Sequence, residues 1–322
     1  MKVKNTLIIL FMLFALQARA QELNNKTYGV VNISVCNLRV TPDFDAEMST
    51  QALLGTPVHV LNLDKWYQIQ TPDTYTGWVH PKGIYRMTKE EYSAWNKAEK
   101  VVITALFGIV YDRPSDKGET VSDVTGGDRL KFLGKKKHFY KVAYPDGRIG
   151  YVAEKIAKIE TKWRSQVKQD ASSIIKTAES MMGFPYIWAG MSPKGFDCSG
   201  FVRTILFLHD IIIPRDASQM ACTGQHVDIA SDFSNLQSGD LVFFGKKATA
   251  DKKEHVSHVG IYIDNNRFIH SMGDVHLSSF DPNDMYYDSY NLNRLLYAVR
   301  FLHLINKDAA YTTTKTNSYY NE

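Results

Sequence analysis

The fold class predicted by this sequence is an α+β domain preceded by two small all-β barrels. The first observation is a repeat: WYQIQTPDTYTGWV at 66–79 recurs as FYKVAYPDGRIGYV at 139–152, at a constant offset of 73 residues. The second is a change near residue 165, from short alternating strands to helical periodicity followed by apolar strands. The hydrophobic fraction of 44% and the charged fraction of 22% are ordinary for globular domains.

The N-terminus has the features of a secretory signal peptide over residues 1–20. Two lysines precede an apolar stretch at 7–16, and Ala-Arg-Ala at 18–20 supplies small residues for cleavage. The stretch is shorter than the ~20 residues of a spanning helix, and no later segment reaches that length. We therefore expect an exported protein that begins near Gln21, periplasmic or secreted, with no membrane span.

Charge and cysteine content narrow the function classes. The formal net charge of +4 is mild, and it fits contact with anionic envelope polymers as well as no charged partner. No arginine-rich or basic-aromatic stretch points to nucleic acid, so none is expected as a partner. Cys36, Cys198 and Cys222 are an odd number of cysteines, so at least one thiol is free or pairs with another molecule. A bridge between Cys36 and Cys222 stays open.

The repeat predicts two SH3-like domains, at 21–98 and 99–162. In each, short alternating strands are separated by Pro, Asp and Gly turns, which is typical of small β-barrels. Between them lies MTKEEYSAWNKAEK, where Thr88 and Glu91 have the spacing of a capping box. A short helix is therefore expected to link the two barrels.

The third domain is predicted at 163–306. SSIIKTAESMM and GFVRTILFLHD have helical periodicity, with Gly183 as a stop for the first helix. GDLVFFG, HVGIYID, RFIHS and LLYAVRFLHL are strand-like, so helices come first and an antiparallel sheet follows. Residues 307–322 are polar and are predicted to form a loose tail.

Cys198 lies directly before an apolar helical run, in Asp197-Cys198-Ser199-Gly200. This position predicts the first turn of a helix, where the dipole and unpaired N–H groups stabilise a thiolate. The backbone N–H of Cys198 could also serve an oxyanion. The alternative is a small buried residue that packs a helix N-terminus, and position alone does not decide between them.

A base for this thiol must come from elsewhere in the fold. His258 opens an alternating strand and His270 lies in the next one, across a turn with two asparagines. A two-residue turn would put the histidines on opposite faces, whereas an odd-length loop or a bulge would bring them to one face. A zinc site at His255 and His258 has poor ligand spacing and no second pair of ligands, so neither metal nor cofactor is predicted.

Six motifs resemble the NlpC-type (NlpC/P60) bacterial cell-wall cysteine peptidases over roughly 165–305. They are GFPYIWAG (183–190), FDCSGFVR (196–203), IPRDASQM (213–220), SGDLVFF (238–244), HVGIYI (258–263) and FIHS (268–271). The modules ahead of them resemble bacterial SH3-like (SH3b) domains. The resemblance implies a papain-like core and hydrolysis of peptidoglycan stem peptides, commonly at the γ-D-glutamyl–diamino acid bond.

Site residues carried over from this resemblance begin with Cys198 as nucleophile, His258 as general base and His270 as the residue that orients His258. The resemblance places the Tyr186 hydroxyl near the oxyanion. The other implied substrate contacts are Asp197 and Ser199 beside the nucleophile, and Arg215 and Ser218 near a substrate carboxylate. A structural role for Arg215 is the open alternative.

One subgroup combines two SH3-like domains with the peptidase, and its first SH3-like domain closes one cleft end around the free ammonium of an N-terminal L-Ala. AEMSTQ and DTYTGWV resemble that subgroup's first domain, which implies that Glu47 and Tyr75 form this end together with Asp197. The alternative is a solvated Glu47 and a packing role for Tyr75. The family usually has glycine where Ala189 stands.

The resulting hypothesis is a cysteine endopeptidase for small peptidoglycan-derived peptides with a free L-Ala, without an obligatory protein partner. Two alternatives within the enzyme class are cleavage of stems in intact sacculus and an N-acetylmuramoyl-L-alanine amidase. The alternative outside the enzyme class is a wall-binding module with an inactive peptidase domain.

Overall fold

The computed structural model describes residues 25–322, so the predicted signal peptide lies outside the described residues. No helix in this part of the chain is long and apolar enough to cross a membrane. The first β unit (residues 28–87) is one seven-stranded sheet in the order β3-β2-β6-β5-β4-β1-β7. Its strands are β1 (Tyr28–Val31), β2 (Val35–Arg39), β3 (Met48–Leu53), β4 (Pro57–Leu63), β5 (Tyr67–Gln70), β6 (Thr76–Val79) and β7 (Ile84–Met87).

The second β unit (residues 100–159) repeats this arrangement. Its order, β10-β9-β13-β12-β11-β8-β14, is the first order with every strand number raised by seven, which confirms the internal repeat. Each unit has an apolar core, and Leu54 of the first unit packs into the core of the second. The strands are β8 (Lys100–Ile103), β9 (Phe107–Tyr111), β10 (Thr120–Thr125), β11 (Arg129–Lys136), β12 (Phe139–Ala143), β13 (Ile149–Ala153) and β14 (Ala157–Ile159).

Helix α1 (Lys89–Lys97) lies between the two units and begins with the predicted capping box. The Thr88 N–H donates to the Glu91 carboxylate at 2.9 Å, and the Glu91 N–H donates to the Thr88 hydroxyl at 3.3 Å. Tyr92 and Trp95 bury one face of the helix against the first β unit. The helix is thus fixed to the unit that precedes it.

The third part of the chain is an α+β domain, as predicted. Its helices are α2 (Glu160–Gln166), α3 (Ala171–Glu179), α4 (Cys198–Leu208), α5 (Ala217–Met220) and α6 (Ser289–Arg294). A six-stranded antiparallel sheet has the order β17-β22-β18-β19-β20-β21. The strands are β15 (Met191–Ser192), β16 (Gly195–Phe196), β17 (Gln225–Val227), β18 (Leu241–Lys246), β19 (His255–Tyr262), β20 (Arg267–Met272), β21 (Asp274–Ser279) and β22 (Leu295–Arg300).

Helix α4 is the central helix of this domain and packs on β19 and β20. Its apolar face, which includes Phe201, Val202, Ile205 and Leu206, is fully buried. Burying a large apolar side chain contributes about 1.5–3 kcal/mol, so this face holds α4 firmly on the sheet. The N-terminus of α4, which carries Cys198, is fixed as a result.

The first β unit contacts both of its neighbours. It reaches the α+β domain through the Met191 N–H, which donates to the Gln51 side chain at 2.8 Å, and through an ion pair of 3.1 Å between Arg203 and Asp73. It reaches the second unit at Gly55, where φ is +82° and a Cβ would lie 2.1 Å from the Arg129 carbonyl oxygen. Glycine is required there both for φ and for this close approach.

The C-terminal strap (residues 307–322) is not the loose tail that its polar composition suggested. The Thr314 N–H and hydroxyl donate to Asp210 at 3.1 and 2.6 Å, and the Asn317 amide donates to the Pro72 carbonyl at 2.9 Å. The Tyr319 hydroxyl donates to the Gln70 side chain at 2.7 Å. A polar segment is exposed only if its side chains find no hydrogen-bond partners within the protein. Here the partners lie about 100 to 250 residues earlier in the chain, so local composition could not reveal them. The strap therefore ties the first β unit to the α+β domain.

All three cysteines are free. Cys36 is buried in the core of the first β unit, and burial raises the pKa of its thiol to about 12. Cys222 is exposed. The alternative of a bridge between these two residues is not realised.

Replacing Asn317 by alanine tests whether the strap holds the two domains together. The Pro72 carbonyl would lose its buried donor, so we expect Asn317→Ala to lower the free energy of unfolding by about 1–3 kcal/mol in urea titrations. Lys315→Ala is the control, because this side chain is exposed on the same strap. Equal stability of the two variants would contradict the role of the strap.

Candidate active site

A cleft of about 630 Å³ lies where the first β unit meets the α+β domain. Cys198, Tyr186 and His258 line it, and the first β unit contributes Glu47 and Tyr75 to the same cavity. The α+β domain also contributes His255, Ser257 and Met272. Two separate parts of the chain thus build one cleft.

Cys198 is the first residue of α4, which confirms its predicted place in the first turn of a helix. Asp197 caps the helix, its carboxylate accepting the Gly200 N–H at 2.6 Å. Burial, and after it the charge of Asp197, raises the pKa of the Cys198 thiol to about 11, while the N–H groups of Val259 and Ser199 act in the opposite direction. The Val259 N–H interaction places the sulfur beside the residue that follows His258.

The two histidines lie on one face of the sheet, as an odd-length loop requires. Ile263 and Arg267 pair across a loop of three residues, in which Asn265 and Asn266 have φ of +46° and +62°. Asparagine adopts this left-handed region more readily than most residues. With Ile261 opposite Ile269, the histidines become diagonal neighbours, and His258 Nε2 lies 2.6 Å from His270 Nδ1.

Both imidazoles are neutral near pH 7. Burial, assisted by the charge of Arg294, lowers the pKa of His258 to about 3. Burial and the neighbouring His258 lower the pKa of His270 well below its ordinary value. Together with the protonated thiol, these values indicate an uncharged cysteine–histidine pair in the unliganded cleft.

Tyr186 reaches the cleft from the loop that precedes β15. Its N–H donates to the Gly273 carbonyl at 2.9 Å, which fixes its backbone. Burial, followed by the charges of Cys198 and Asp197, raises the pKa of the Tyr186 hydroxyl to about 12, so it remains a donor. Three residues on, buried Ala189 has φ of +58°, which gives a physical reason for the glycine that the family usually has there.

Arg215 is almost completely buried, with a relative exposure of 1%, and all three guanidinium nitrogens have partners within the protein. Nε donates to the Thr50 hydroxyl of the first β unit at 2.7 Å. The terminal nitrogens donate to both Asp197 oxygens at 2.6 and 3.2 Å, and to the Ser199 hydroxyl at 2.8 Å. This geometry favours the structural interpretation of Arg215 that the sequence left open, and it commits Asp197 and Ser199 to the same cluster.

The cleft end formed by the first β unit is acidic. Glu47 is exposed there, and its carboxylate has no hydrogen bond or ion pair among residues 25–322. Asp216, which the sequence did not single out, lies at the same end. Burial raises the pKa of its carboxyl, although the Arg215 charge and a hydrogen bond from Tyr75 act in the opposite direction. The available signal was its position directly after Arg215 in IPRDASQM. Ser218 is exposed on the cleft wall.

Behind His270 lie two further polar residues that the sequence did not single out. His270 Nε2 lies 3.0 Å from the Ser278 hydroxyl, and that hydroxyl donates to the Asp288 carboxylate at 3.0 Å. Ser278 lies on β21 and Asp288 caps α6. Neither position carries a local pattern that marks it as part of a site.

Comparison with solved structures supports this architecture. A crystal structure of an NlpC/P60 family protein from Bacillus cereus superposes with a TM-score of 0.71 at 26% identity, and the match covers 85% of this chain and 99% of that one. An NlpC/P60 endopeptidase from Photobacterium damselae matches with a TM-score of 0.63 at 16% identity, over 84% of this chain and 70% of that one, and shows the fold alone.

Sequence relatives agree with the structural likeness. The chain is 33% identical over 234 residues to the gamma-D-glutamyl-L-lysine dipeptidyl-peptidase of Bacillus cereus, covering 70% of this chain and 67% of that protein. It is 27% identical over 271 residues to the dipeptidyl-peptidase 6 of Lysinibacillus sphaericus, covering 79% and 92%.

Two family descriptions match separate parts of the chain. Residues 38–84, within the first β unit, match the bacterial dipeptidyl-peptidase Sh3 domain, and residues 183–295 match the NlpC/P60 family. The second match contains the Cys198 helix and both histidine strands. The chain belongs to the NlpC/P60 family of cysteine peptidases.

Proposed function

We propose that this protein hydrolyses the γ-D-glutamyl–L-diamino acid bond of peptidoglycan stem peptides, and that it prefers small peptides with a free N-terminal L-Ala. The observation that carries the proposal is a cleft that Cys198 and His258 of the α+β domain share with Glu47 and Tyr75 of the first β unit. The names of the relatives from Bacillus cereus and Lysinibacillus sphaericus, both dipeptidyl-peptidases, support the same cut two residues from a free N-terminus.

Catalysis begins from the uncharged Cys198 thiol and His258 imidazole. His258 Nε2 is engaged by His270, so the other ring nitrogen, Nδ1, takes the Cys198 proton as the sulfur attacks the γ-carbonyl carbon. The Cys198 backbone N–H and the Tyr186 hydroxyl donate to the oxyanion. His258 then protonates the leaving amine of the diamino acid, and water hydrolyses the thioester.

Selection of a free amine follows from charge at the closed end of the cleft. The cavity lining includes three carboxylates, those of Glu47, Asp197 and Asp216, and one guanidinium, that of Arg215, so it carries an excess of negative charge. An ammonium group there would pair with Glu47 and offset the unfavourable desolvation free energy of the half-buried Asp216 carboxylate. A stem still joined to muramic acid has a neutral amide at this position and a glycan that would meet the first β unit.

Replacing Cys198 by alanine tests the nucleophile. We expect Cys198→Ala to abolish release of the diamino acid from L-Ala-γ-D-Glu-L-Lys, measured by mass spectrometry, because neither of the other two thiols lines the cleft. Cys222→Ala is the matched control, since this thiol is exposed, and it should keep wild-type turnover. Full activity of Cys198→Ala would refute the mechanism, and a wild-type protein without turnover would favour the silent binding module.

Acetylation of the substrate amine tests the closed end. Losing a hydrogen-bonded charge pair costs about 1.5–3 kcal/mol, so we expect N-acetyl-L-Ala-γ-D-Glu-L-Lys to be cleaved with roughly 10- to 100-fold lower kcat/KM. Glu47→Gln should raise KM for the free peptide by a similar factor, whereas Asp43→Asn, an exposed acid nearby in the chain, should not. Equal cleavage of both peptides would instead support action on stems in intact sacculus, and release of L-Ala from muramic acid would support an amidase.

The buried neutral histidines predict a loss of stability in acid. An unfolded histidine titrates near pH 6.5, so below that pH the unfolded state binds more protons and the free energy of unfolding falls as pH falls. Between pH 7 and pH 5 the buried His258 imidazole, with a pKa lowered to about 3, should cost about 2 kcal/mol, and His270 acts in the same direction. We expect urea titrations of His270→Gln to show a weaker loss of stability between pH 7 and pH 5 than the wild type, and His303→Gln, at an exposed position, to match the wild type. An unchanged dependence in His270→Gln would contradict a neutral buried His270.

A further inference from the structure

We infer that Ser278 and Asp288 are positioning residues that hold His258 in the one tautomer able to accept the Cys198 proton. The inference rests on the proposed roles of Cys198 and His258. It starts from a continuous chain of side chains, in which His258 Nε2 meets His270 Nδ1 at 2.6 Å and His270 Nε2 meets the Ser278 hydroxyl at 3.0 Å. The Ser278 hydroxyl then meets the Asp288 carboxylate at 3.0 Å.

The direction of this chain is set at Asp288. An ionised carboxylate only accepts hydrogen bonds. One Asp288 oxygen accepts the Asn291 N–H at 2.9 Å, and the other accepts the Asn291 side-chain amide at 2.6 Å and the Ser278 hydroxyl. The single proton of Ser278 is therefore committed to Asp288, so the Ser278 oxygen can only accept from His270.

The tautomers of both histidines follow. His270 carries its proton on Nε2, where it donates to Ser278, and its bare Nδ1 accepts from His258. His258 therefore carries its proton on Nε2 and leaves Nδ1 as its basic nitrogen. His258, His270 and Ser278 have relative exposures of 6%, 0% and 3%, so water has little access to rearrange the chain.

Two substitutions break the chain without removing a proposed catalytic residue. Asp288→Asn keeps the helix cap, because asparagine caps as well as aspartate, with the amide oxygen on the Asn291 N–H. Its amide NH₂ then faces both Ser278 and the Asn291 side chain, so the Asn291 amide turns to present its oxygen, and the Ser278 proton turns toward His270 Nε2. This reverses every bond, so His258 would carry its proton on Nδ1, where it could not accept one from the thiol. Ser278→Ala removes the link and leaves Asp288 charged.

The experiment measures kcat and KM for L-Ala-γ-D-Glu-L-Lys together with ¹⁵N NMR of the histidine rings. We expect both variants to lose roughly 10- to 100-fold in kcat with little change in KM, as is typical when a partner behind a functional histidine is lost. The NMR spectra should show His258 protonated on Nε2 in the wild type and on Nδ1 in Asp288→Asn. Asp170→Asn is the matched control, because Asp170 caps α3 through the Ser173 N–H in the same way, and it should change neither readout.

The outcomes separate this inference from the proposed function. Wild-type kcat and an unchanged His258 tautomer in both variants, while Cys198→Ala is inactive, would overturn the inference and leave the proposed function standing. If the wild type does not cleave the peptide at all, the proposed function fails, and the NMR arm still tests the tautomers. If Ser278→Ala does not fold, Asp288→Asn, which keeps its cap, decides the matter.

Discussion

The buried guanidinium of Arg215 is the interaction on which the rest of the site depends. It joins the Thr50 hydroxyl of the first β unit to Asp197 and Ser199, the two residues that flank Cys198. Asp197 also caps the helix that begins at Cys198, so one carboxylate serves both this helix and the domain contact. Removing one partner of such a buried pair typically costs about 3–5 kcal/mol, because the other charge is left uncompensated. The position of Cys198 and that of the first β unit are therefore coupled.

This coupling gives the two β units different roles despite their shared strand order. The first unit forms one end of the cleft, through Glu47 and Tyr75. The second unit contributes no residue to that cavity and instead contacts the first at Gly55 and Arg129. The C-terminal strap also binds the first unit, through hydrogen bonds to the Pro72 carbonyl and the Gln70 side chain. In the proposed function, a limit on substrate size would therefore be a property of the assembled chain, since Glu47 and Tyr75 come from the first β unit and not from the α+β domain.

Features that depend on neighbours along the chain could be predicted from the sequence. The β repeat, the Thr88 capping box and the place of Cys198 at a helix start follow from local spacing, whereas the spacing left open the length of the loop between the His258 and His270 strands. Features that depend on distant partners could not. Arg215 bonds a hydroxyl 165 residues away, the strap reaches back 245 residues at Asn317, and Asp216 acquires its place at the acidic end from a domain contact. For the same reason nothing local marked Ser278 and Asp288, because only the folded sheet brings them behind His270.

The central claim is that the first β unit fixes which end of the peptide enters the closed side of the cleft. A crystal structure of Cys198→Ala with L-Ala-γ-D-Glu-L-Lys tests it most directly. The account predicts the L-Ala ammonium within hydrogen-bonding distance of Glu47 and Asp216, with the γ-carbonyl oxygen directed at the Tyr186 hydroxyl and the backbone N–H of residue 198. A peptide bound in the opposite direction, with the diamino acid against the first β unit, would contradict it.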